Sequence, residues 1–327
     1  MRYRRFGRLA WKVSDVGYGM WGVAGGEGGW TGSCASAGME ALHHAIVRGC
    51  NFFDTAWIYG RGESERMLGS ALRDHPEKKL YVATKVPPKN REWPSRRGDR
   101  IEDIFPAAHI HEYVGRSLEC LGTASTDLLQ FHVWEDAWAG DESWQRVVED
   151  LKRQGMIGGV GISVNRWEPA NVLDTLRTGL IDSVQVIYNI FDQAPEDELF
   201  PLCRELDIGV IARVPFDEGS LTGMLRETTT WPQGDWRASY FVPENLAPTV
   251  ARVEALRTAL PADADMARVA LRFILASEDV ATVIPGMRSV AHVDANLACS
   301  GAVPLAPGLL ALLRRHRWDR EPTWWSQ

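Results

Sequence analysis

The sequence predicts an α/β fold, an eight-stranded (β/α)8 TIM barrel. Three observations predict it. Short apolar runs with strand character alternate with helix-period segments eight times. The chain has 327 residues, and such a barrel takes about 250, or more with insertions. Polar residues stand at the C-terminal ends of several apolar runs, where parallel barrel strands converge on one mouth.

Residues 2–13 alternate and break at Gly7, which reads as an N-terminal β-hairpin ahead of the barrel. The first barrel strand is expected at 16–20, followed by Trp21 and a glycine-rich loop, 25–32. Those glycines have no GxGxxG frame and no P-loop lysine, so they read as a loop at the mouth. A helix over 36–48 opens at a serine and closes before Gly49. The second strand, 50–53, ends at Asp54. The helix after it, 63–73, carries Met67, Leu68, Ala71 and Leu72 at helical spacing.

Strand three covers 80–86 with Lys85 near its end. A long irregular stretch, 87–107, precedes a helix over 108–121. Strand four, 127–131, leads to His132. A helix over 143–154 stops at Gly155. Strand five is 159–162 with its helix at 168–178; strand six is 183–187 with its helix at 196–206. Strand seven, 208–212, opens a second insertion, 214–247. Helices at 248–260 and 266–276 precede strand eight, 281–284. Further helices are expected at 289–300 and 307–315, the last beyond the eight βα units. No linker or tandem repeat divides the chain, so 1–327 reads as a single domain.

Charge and composition narrow the function. Net charge is −7, and no basic stretch is interleaved with aromatics, which argues against nucleic acid. Five cysteines, an odd number without a CxxC pair, favour a reducing compartment. No signal peptide and no run of about 18 apolar residues is visible. The expectation is a soluble, cytoplasmic protein without a membrane role. The histidines at 43, 44, 109 and 111 lack the cysteine or carboxylate company of a metal site.

The chemistry gathers at the strand ends. A lysine on an apolar strand needs a partner, because an unpaired buried charge is costly; Asp54 is the natural one. Tyr59, five residues past Asp54, and His132 complete an acid–base set. Tyr59 is a poor acid at its free pKa of about 10, and an adjacent ammonium is expected to lower that value. The plainer reading of Asp54 and Tyr59 is a strand-end cap with a tyrosine packed over it.

The segments Phe52-Phe53-Asp54-Thr55-Ala56 with Tyr59-Gly60, Ala83-Thr84-Lys85, Leu128-Leu129-Gln130-Phe131-His132, Gly161-Ile162-Ser163, Gln185 with Tyr188-Asn189, and Ile284-Pro285-Gly286 with Asn296 occur in one order along the chain. This pattern resembles the aldo-keto reductase superfamily across roughly the whole sequence. The resemblance implies an NADP-dependent oxidoreductase that reduces an aldehyde, ketone or sugar carbonyl by hydride transfer from NADPH. Tyr59 would be the acid/base, Lys85 and Asp54 its tuning pair, and His132 the group that orients the carbonyl. It also implies that the hairpin plugs the N-terminal mouth. The partner is a small carbonyl or alcohol substrate. A rival reading is a nucleotide-binding regulatory or channel-subunit-like barrel with little turnover.

The resemblance assigns the cofactor to Ser163, Asn165 and Gln185 at the nicotinamide carboxamide, with Asn165 one residue late because Val164 intervenes. Arg213, followed by Pro215, takes the place where relatives stack a tyrosine on the nicotinamide; the alternative is an ion pair with Asp217 or Glu218. Gly286, Arg288 and Ser289 would meet the phosphates, the last two a 2′-phosphate, and Asn296 the adenine. The chain holds 14 tryptophans. Trp21, Trp57 and Trp134 are placed on mouth loops and expected to wall the substrate pocket. Trp324 and Trp325 read equally as an oligomer contact or a frayed tail, and the oligomeric state stays open.

Overall fold

A computed structural model of the chain describes residues 1–24, 31–32 and 34–326. Most of the glycine-rich loop expected at 25–32 lies outside the described residues. Strands β1 (Tyr3–Phe6) and β2 (Trp11–Ser14) form the antiparallel hairpin, with Phe6 opposite Trp11. Its turn runs close to the barrel. A Cβ on Gly7, which has φ +44°, would lie 2.3 Å from the Gly209 nitrogen. Phe6 packs on Phe52 at 5.5 Å, and Trp11 stacks on Tyr81 at 5.0 Å. With Val13, Ala83, Leu128, Ile211 and Ala281 they form a separate apolar cluster that stoppers the N-terminal end of the barrel.

Eight parallel strands follow: β3 (Tyr18–Gly19), β4 (Phe52–Asp54), β5 (Tyr81–Val86), β6 (Thr126–Phe131), β7 (Ile157–Ser163), β8 (Ser183–Ile187), β9 (Gly209–Arg213) and β10 (Val280–Val283). Each pairs with the next in chain order, and parallel bridges Val16–Val283 and Gly19–Gly286 join the last to the first. The barrel is therefore closed. β3 is shorter than expected. Glycines bring it near its neighbours: a Cβ on Gly19 would lie 2.7 Å from the Ile284 carbonyl oxygen.

Helices α1 (Ala35–Val47), α2 (Glu63–Asp74), α3 (Ile101–Ile104), α4 (Ala107–Leu121), α5 (Glu142–Arg153), α6 (Leu173–Arg177), α7 (Leu199–Glu205), α8 (Trp236–Tyr240), α9 (Pro243–Ala259), α10 (Met266–Leu275), α11 (Val290–Leu297) and α12 (Pro307–Arg314) surround or flank the barrel. The main apolar core lies between their inner faces and the strands. Among the described residues no helix is long and apolar enough to cross a membrane.

Helical expectations shift at several places, and the stretch 87–107, expected to be irregular, contains the short α3. The helix after β7 shrinks to α6, because Trp167 adopts a left-handed backbone and Pro169 follows two residues later. The helix after β8 starts only at Leu199, behind a 3-10 turn at Ala194–Glu196. α9 begins at Pro243, five residues early, with proline at its first position, where the missing N–H costs nothing. The insertion before it contains α8, which its mix of Gly, Trp and Pro concealed.

Beyond α12 the chain returns over the barrel. Trp318 donates its backbone N–H to the Phe191 carbonyl at 2.7 Å. Trp325 packs on Trp167 and Tyr240 at 5.7 and 5.8 Å, so it is neither frayed nor outward-facing, whereas Trp324 is exposed.

Candidate active site

Register brings the polar strand ends together. Asp54, the last residue of β4, lies opposite Ala83 of β5, and Lys85 lies opposite Gln130 of β6. Strand side chains alternate in direction, so Lys85 is carried inward beside Asp54. Its ammonium donates to Asp54 Oδ1 at 2.5 Å, to the Thr55 carbonyl at 2.8 Å and to the Tyr59 hydroxyl at 3.4 Å. His132 follows β6, with its ring edge-on to Tyr59 at 6.0 Å. All four sequence-derived residues meet at the C-terminal mouth. Asp54 is thus the ion-pair partner of Lys85, and Tyr59 lies within reach of the same ammonium.

The far oxygen of Asp54 has its own partners. Oδ2 accepts from Gln130 Nε2 at 3.0 Å and from Gln185 Nε2 at 2.6 Å. Gln130 escaped the sequence reading. The available signal was a polar residue two positions before His132 on an apolar strand, hence on the same strand face.

Charge states follow from burial and neighbours. Burial pulls the Lys85 ammonium down, but Asp54 and Tyr59 together carry it above its ordinary value. Tyr59 corrects an expectation. Burial raises its pKa and Asp54 adds to this; Lys85 and Arg213 pull the other way and lose. The lysine does act on the tyrosine as argued, yet desolvation outweighs it. The phenol therefore keeps its proton. His132 lies well below its ordinary pKa through burial, Lys85 and Arg213, so the ring is neutral near pH 7. Its Nδ1 is buried without a hydrogen-bond partner.

Two of the three tryptophans expected to wall the pocket do other work. Trp134 is fully buried, packed on Phe131, Trp138 and Trp144, and donates to Thr175 Oγ1 at 2.8 Å. The chain turns inward directly after β6 and carries the indole into the core. Trp57 sits edge-on to Tyr113 of α4 at 4.8 Å, with the Arg91 and Arg116 guanidinium groups at 5.3 and 5.5 Å; it faces the helical layer. Trp21 meets Trp236 of the insertion at 5.4 Å. The aromatic beside the chemistry is Trp93, edge-on to His132 at 5.5 Å. It lies in the irregular stretch after β5, where nothing local marks it.

Ser163 ends β7 beside Gln185. Asn165 is turned away. Its amide donates to the Trp134 carbonyl at 2.8 Å and to Ser95 Oγ and Glu135 Oε1, both at 3.1 Å, and its oxygen accepts from the Trp134 N–H. Val164, between Ser163 and Asn165, is buried in the core. Gln185 spends its amide nitrogen on Asp54, which leaves its oxygen for a ligand.

Arg213 donates to the Val164 carbonyl at 2.9 Å, while its Nε is buried without a partner. Burial, reinforced by Arg166, lowers its pKa to about 10. It does not form the alternative ion pair: Asp217 binds Arg320 and Glu218 binds Arg166. Pro215 is buried just beyond. Gly286 lies at the closing bridge, and a Cβ there would meet nothing. Arg288 lies against Gly22 and donates to the Thr31 carbonyl at 3.0 Å. Ser289 caps α11, its hydroxyl accepting from the His292 N–H, and Asn296 is buried on the same helix. Among the described residues no cluster of three or more metal-ligating side chains exists.

A nicotinamide dinucleotide fits this donor set. The Arg213 Nε atom is buried and unanswered, the Gln185 oxygen is available, and the backbone at Gly286 is open. The aldo/keto reductase family model matches residues 15–315. The chain belongs to the aldo/keto reductase family. It is an NAD(P)H-dependent oxidoreductase acting on small carbonyl compounds.

An uncharacterised oxidoreductase of Bacillus subtilis is 30% identical over 97% of this chain and 96% of its own. The NADH-specific methylglyoxal reductase of Escherichia coli is 29% identical over 88% and 89%. Among solved structures, an aldo-keto reductase of Bacillus halodurans in its holo form superposes with a TM-score of 0.77 at 26% identity, covering all of both chains. The glycerol dehydrogenase of Gluconobacter oxydans does so with 0.75 at 25%, covering 96% and 94%.

Proposed function

We propose that this aldo-keto reductase reduces the carbonyl of a small polar aldehyde, ketone or sugar with NADPH, Tyr59 donating the proton. The observation that carries the reading is the Lys85 ammonium, bridging Asp54 and the Tyr59 hydroxyl while burial keeps Tyr59 protonated. Bound NADPH supplies the hydride. Tyr59 delivers its proton to the carbonyl oxygen as that oxygen gains charge, and Lys85 stabilises the tyrosinate left behind. Asp54 keeps the lysine charged and aimed; Gln130 and Gln185 keep Asp54 aimed. Neutral His132 is placed to donate a hydrogen bond to the same oxygen.

Ser163 and the Gln185 oxygen are the groups for the carboxamide, and Arg213 and Pro215 for the nicotinamide side. Gly286, Arg288, Ser289 and Asn296 serve the adenosine end. Arg288 stands one residue before the N-terminal cap of α11, where a guanidinium suits a 2′-phosphate. This supports NADPH over NADH, although the E. coli relative is named NADH-specific and an aldo-keto reductase of Schizosaccharomyces pombe is named for NADP(+).

The activities named for the methylglyoxal reductase and the glycerol dehydrogenase make three-carbon carbonyls and polyols the first compounds to try. Loss of NADPH absorbance with methylglyoxal and a panel of aldehydes and sugars is the test. Turnover supports the proposal. Tight NADPH binding with none on any carbonyl favours the regulatory reading.

A further inference from the structure

The backbone that follows β9, from Val214 into the 3-10 turn at Asp217–Thr222, is improbable. Val214, Asp217 and Glu218 all have left-handed φ values, 55°, 44° and 55°. A β-branched residue in that region is a genuine outlier, and such a turn persists only where its surroundings over-determine it.

Two buried ion pairs supply that constraint. Glu218 accepts from Arg166 at 2.6 Å, from the loop after β7. Asp217, fully buried, accepts from Arg320 at 2.8 Å and from Ser220 Oγ at 2.7 Å. Arg320 comes from the segment beyond α12, more than 100 residues away in sequence, and also pairs with Asp192 in the loop after β8. It is itself fixed by stacking. Its guanidinium lies 4.4 Å from the Trp167 ring and 4.7 Å from the Trp318 ring, and Arg252 of α9 covers Trp318 at 4.3 Å. Arg166 continues the stack onto Tyr240 at 4.9 Å and Trp236 at 5.4 Å. Alternating arginine and aromatic planes thus run from the insertion to α9. Trp167, Trp236 and Trp318 serve this ladder.

The strained turn begins one residue after Arg213 and contains Pro215, both assigned above to the cofactor. Loops after the last two strands of such barrels commonly hold phosphate. We propose that Arg320 is a positioning residue for the cofactor: through Asp217 it holds the strained turn at 214–219 and so fixes Arg213 and Pro215 for the nicotinamide dinucleotide. This rests on the cofactor reading of those two residues. Without the Arg320 pair the turn relaxes, and binding NADPH must then re-form it.

The test compares the wild type with Arg320→Met, Arg320→Lys and Asp217→Asn. Arg320→Met removes the charge and the guanidinium plane and keeps an apolar stem between the two tryptophans. Asp217→Asn leaves the Arg320–Asp192 pair intact, so it decides the matter if Arg320→Met fails to fold. NADPH affinity is measured by calorimetry, backbone hydrogen exchange over 214–219 without cofactor, and melting temperature separately. We expect Arg320→Met and Asp217→Asn each to weaken NADPH at least tenfold, through KM for NADPH rather than kcat, with faster exchange over 214–219. The double variant should be no worse than Arg320→Met alone, and Arg320→Lys should restore part of the affinity. Folded variants that melt lower but bind NADPH within twofold of the wild type, with unchanged exchange, overturn the proposal. If the wild type itself binds no NADPH, the cofactor reading fails instead, and unchanged exchange still overturns the latch.

Discussion

The Lys85 ammonium stands 2.5 Å from Oδ1 of Asp54, with both side chains almost sealed from solvent. Removing one partner strands the other charge. Lys85→Met should therefore lower stability by about 3–5 kcal/mol, towards the lower figure because Gln130 and Gln185 still donate to Asp54. Reduction should also fall by at least about a hundredfold, the lower range for lost acid–base catalysis. Denaturant melts and NADPH-coupled turnover check the two effects separately.

Tyr59→Phe isolates the proton. The change removes one oxygen, and neither folding nor NADPH binding needs it. Turnover should drop by about 10²–10⁴-fold while the melt stays near that of the wild type. The raised pKa of Tyr59 adds a pH signature. Reduction needs the protonated phenol, so the Tyr59 contribution should hold through neutral pH and fall only above about 10, its ordinary value. Near-normal turnover in Tyr59→Phe with intact NADPH binding returns the tyrosine to a packing role.

How much of this was legible in the sequence depends on the kind of information. Apolar runs marked all eight strands because each is buried on both faces. Asp54, Lys85 and His132 stood out because polar residues interrupted those runs at one end. Side-chain direction beyond a strand end was not legible: Trp134 and Trp57 turn into packed layers through loop geometry that no periodicity encodes. Asn165 spends its amide on Trp134, Ser95 and Glu135, which no local pattern announced. Tyr59 was argued from its charged neighbours alone, while the deciding quantity is its burial. The Arg320 pairs join positions more than 100 residues apart without any local pattern.

His132 gives an acid-stability prediction. Its folded pKa is depressed, so the unfolded chain takes up a proton at about 6.5 while the folded chain refuses it. The stability this histidine protects is present above pH 6.5 and lost as pH falls towards the folded value. The slope is at most about 1.4 kcal/mol per pH unit. His132→Gln should flatten the melting temperature between pH 7 and 5 relative to the wild type. Parallel curves for the two proteins would show that His132 is freely protonated.

Trp93 offers a test of which aromatic faces the substrate. It touches the His132 ring edge-on, a contact of about 0.5–1.5 kcal/mol. Trp93→Ala should raise the aldehyde KM by up to about tenfold and leave NADPH affinity nearly unchanged. Trp134→Ala should instead cost about 3–5 kcal/mol of stability as a core cavity. If Trp93→Ala leaves every aldehyde KM unaltered, the pocket lies elsewhere on the mouth.

Cofactor choice turns on Arg288. Its guanidinium is tied to the Thr31 carbonyl and stands one residue before the Ser289 cap of α11. A helix N-terminus favours an anion, and a guanidinium adds charge-assisted hydrogen bonds. A 2′-phosphate there should gain about 1.5–3 kcal/mol, roughly a ten- to hundredfold preference for NADPH over NADH. Arg288→Ala should erase most of that preference by weakening NADPH, with NADH affinity little changed. Ser289→Ala removes the cap and not the charge, so it should lower stability by about 0.5–2 kcal/mol and shift the preference less. Calorimetric titration of both cofactors into the three proteins checks this. Equal affinities in the wild type would sink the assignment and align this chain with its NADH-specific relative.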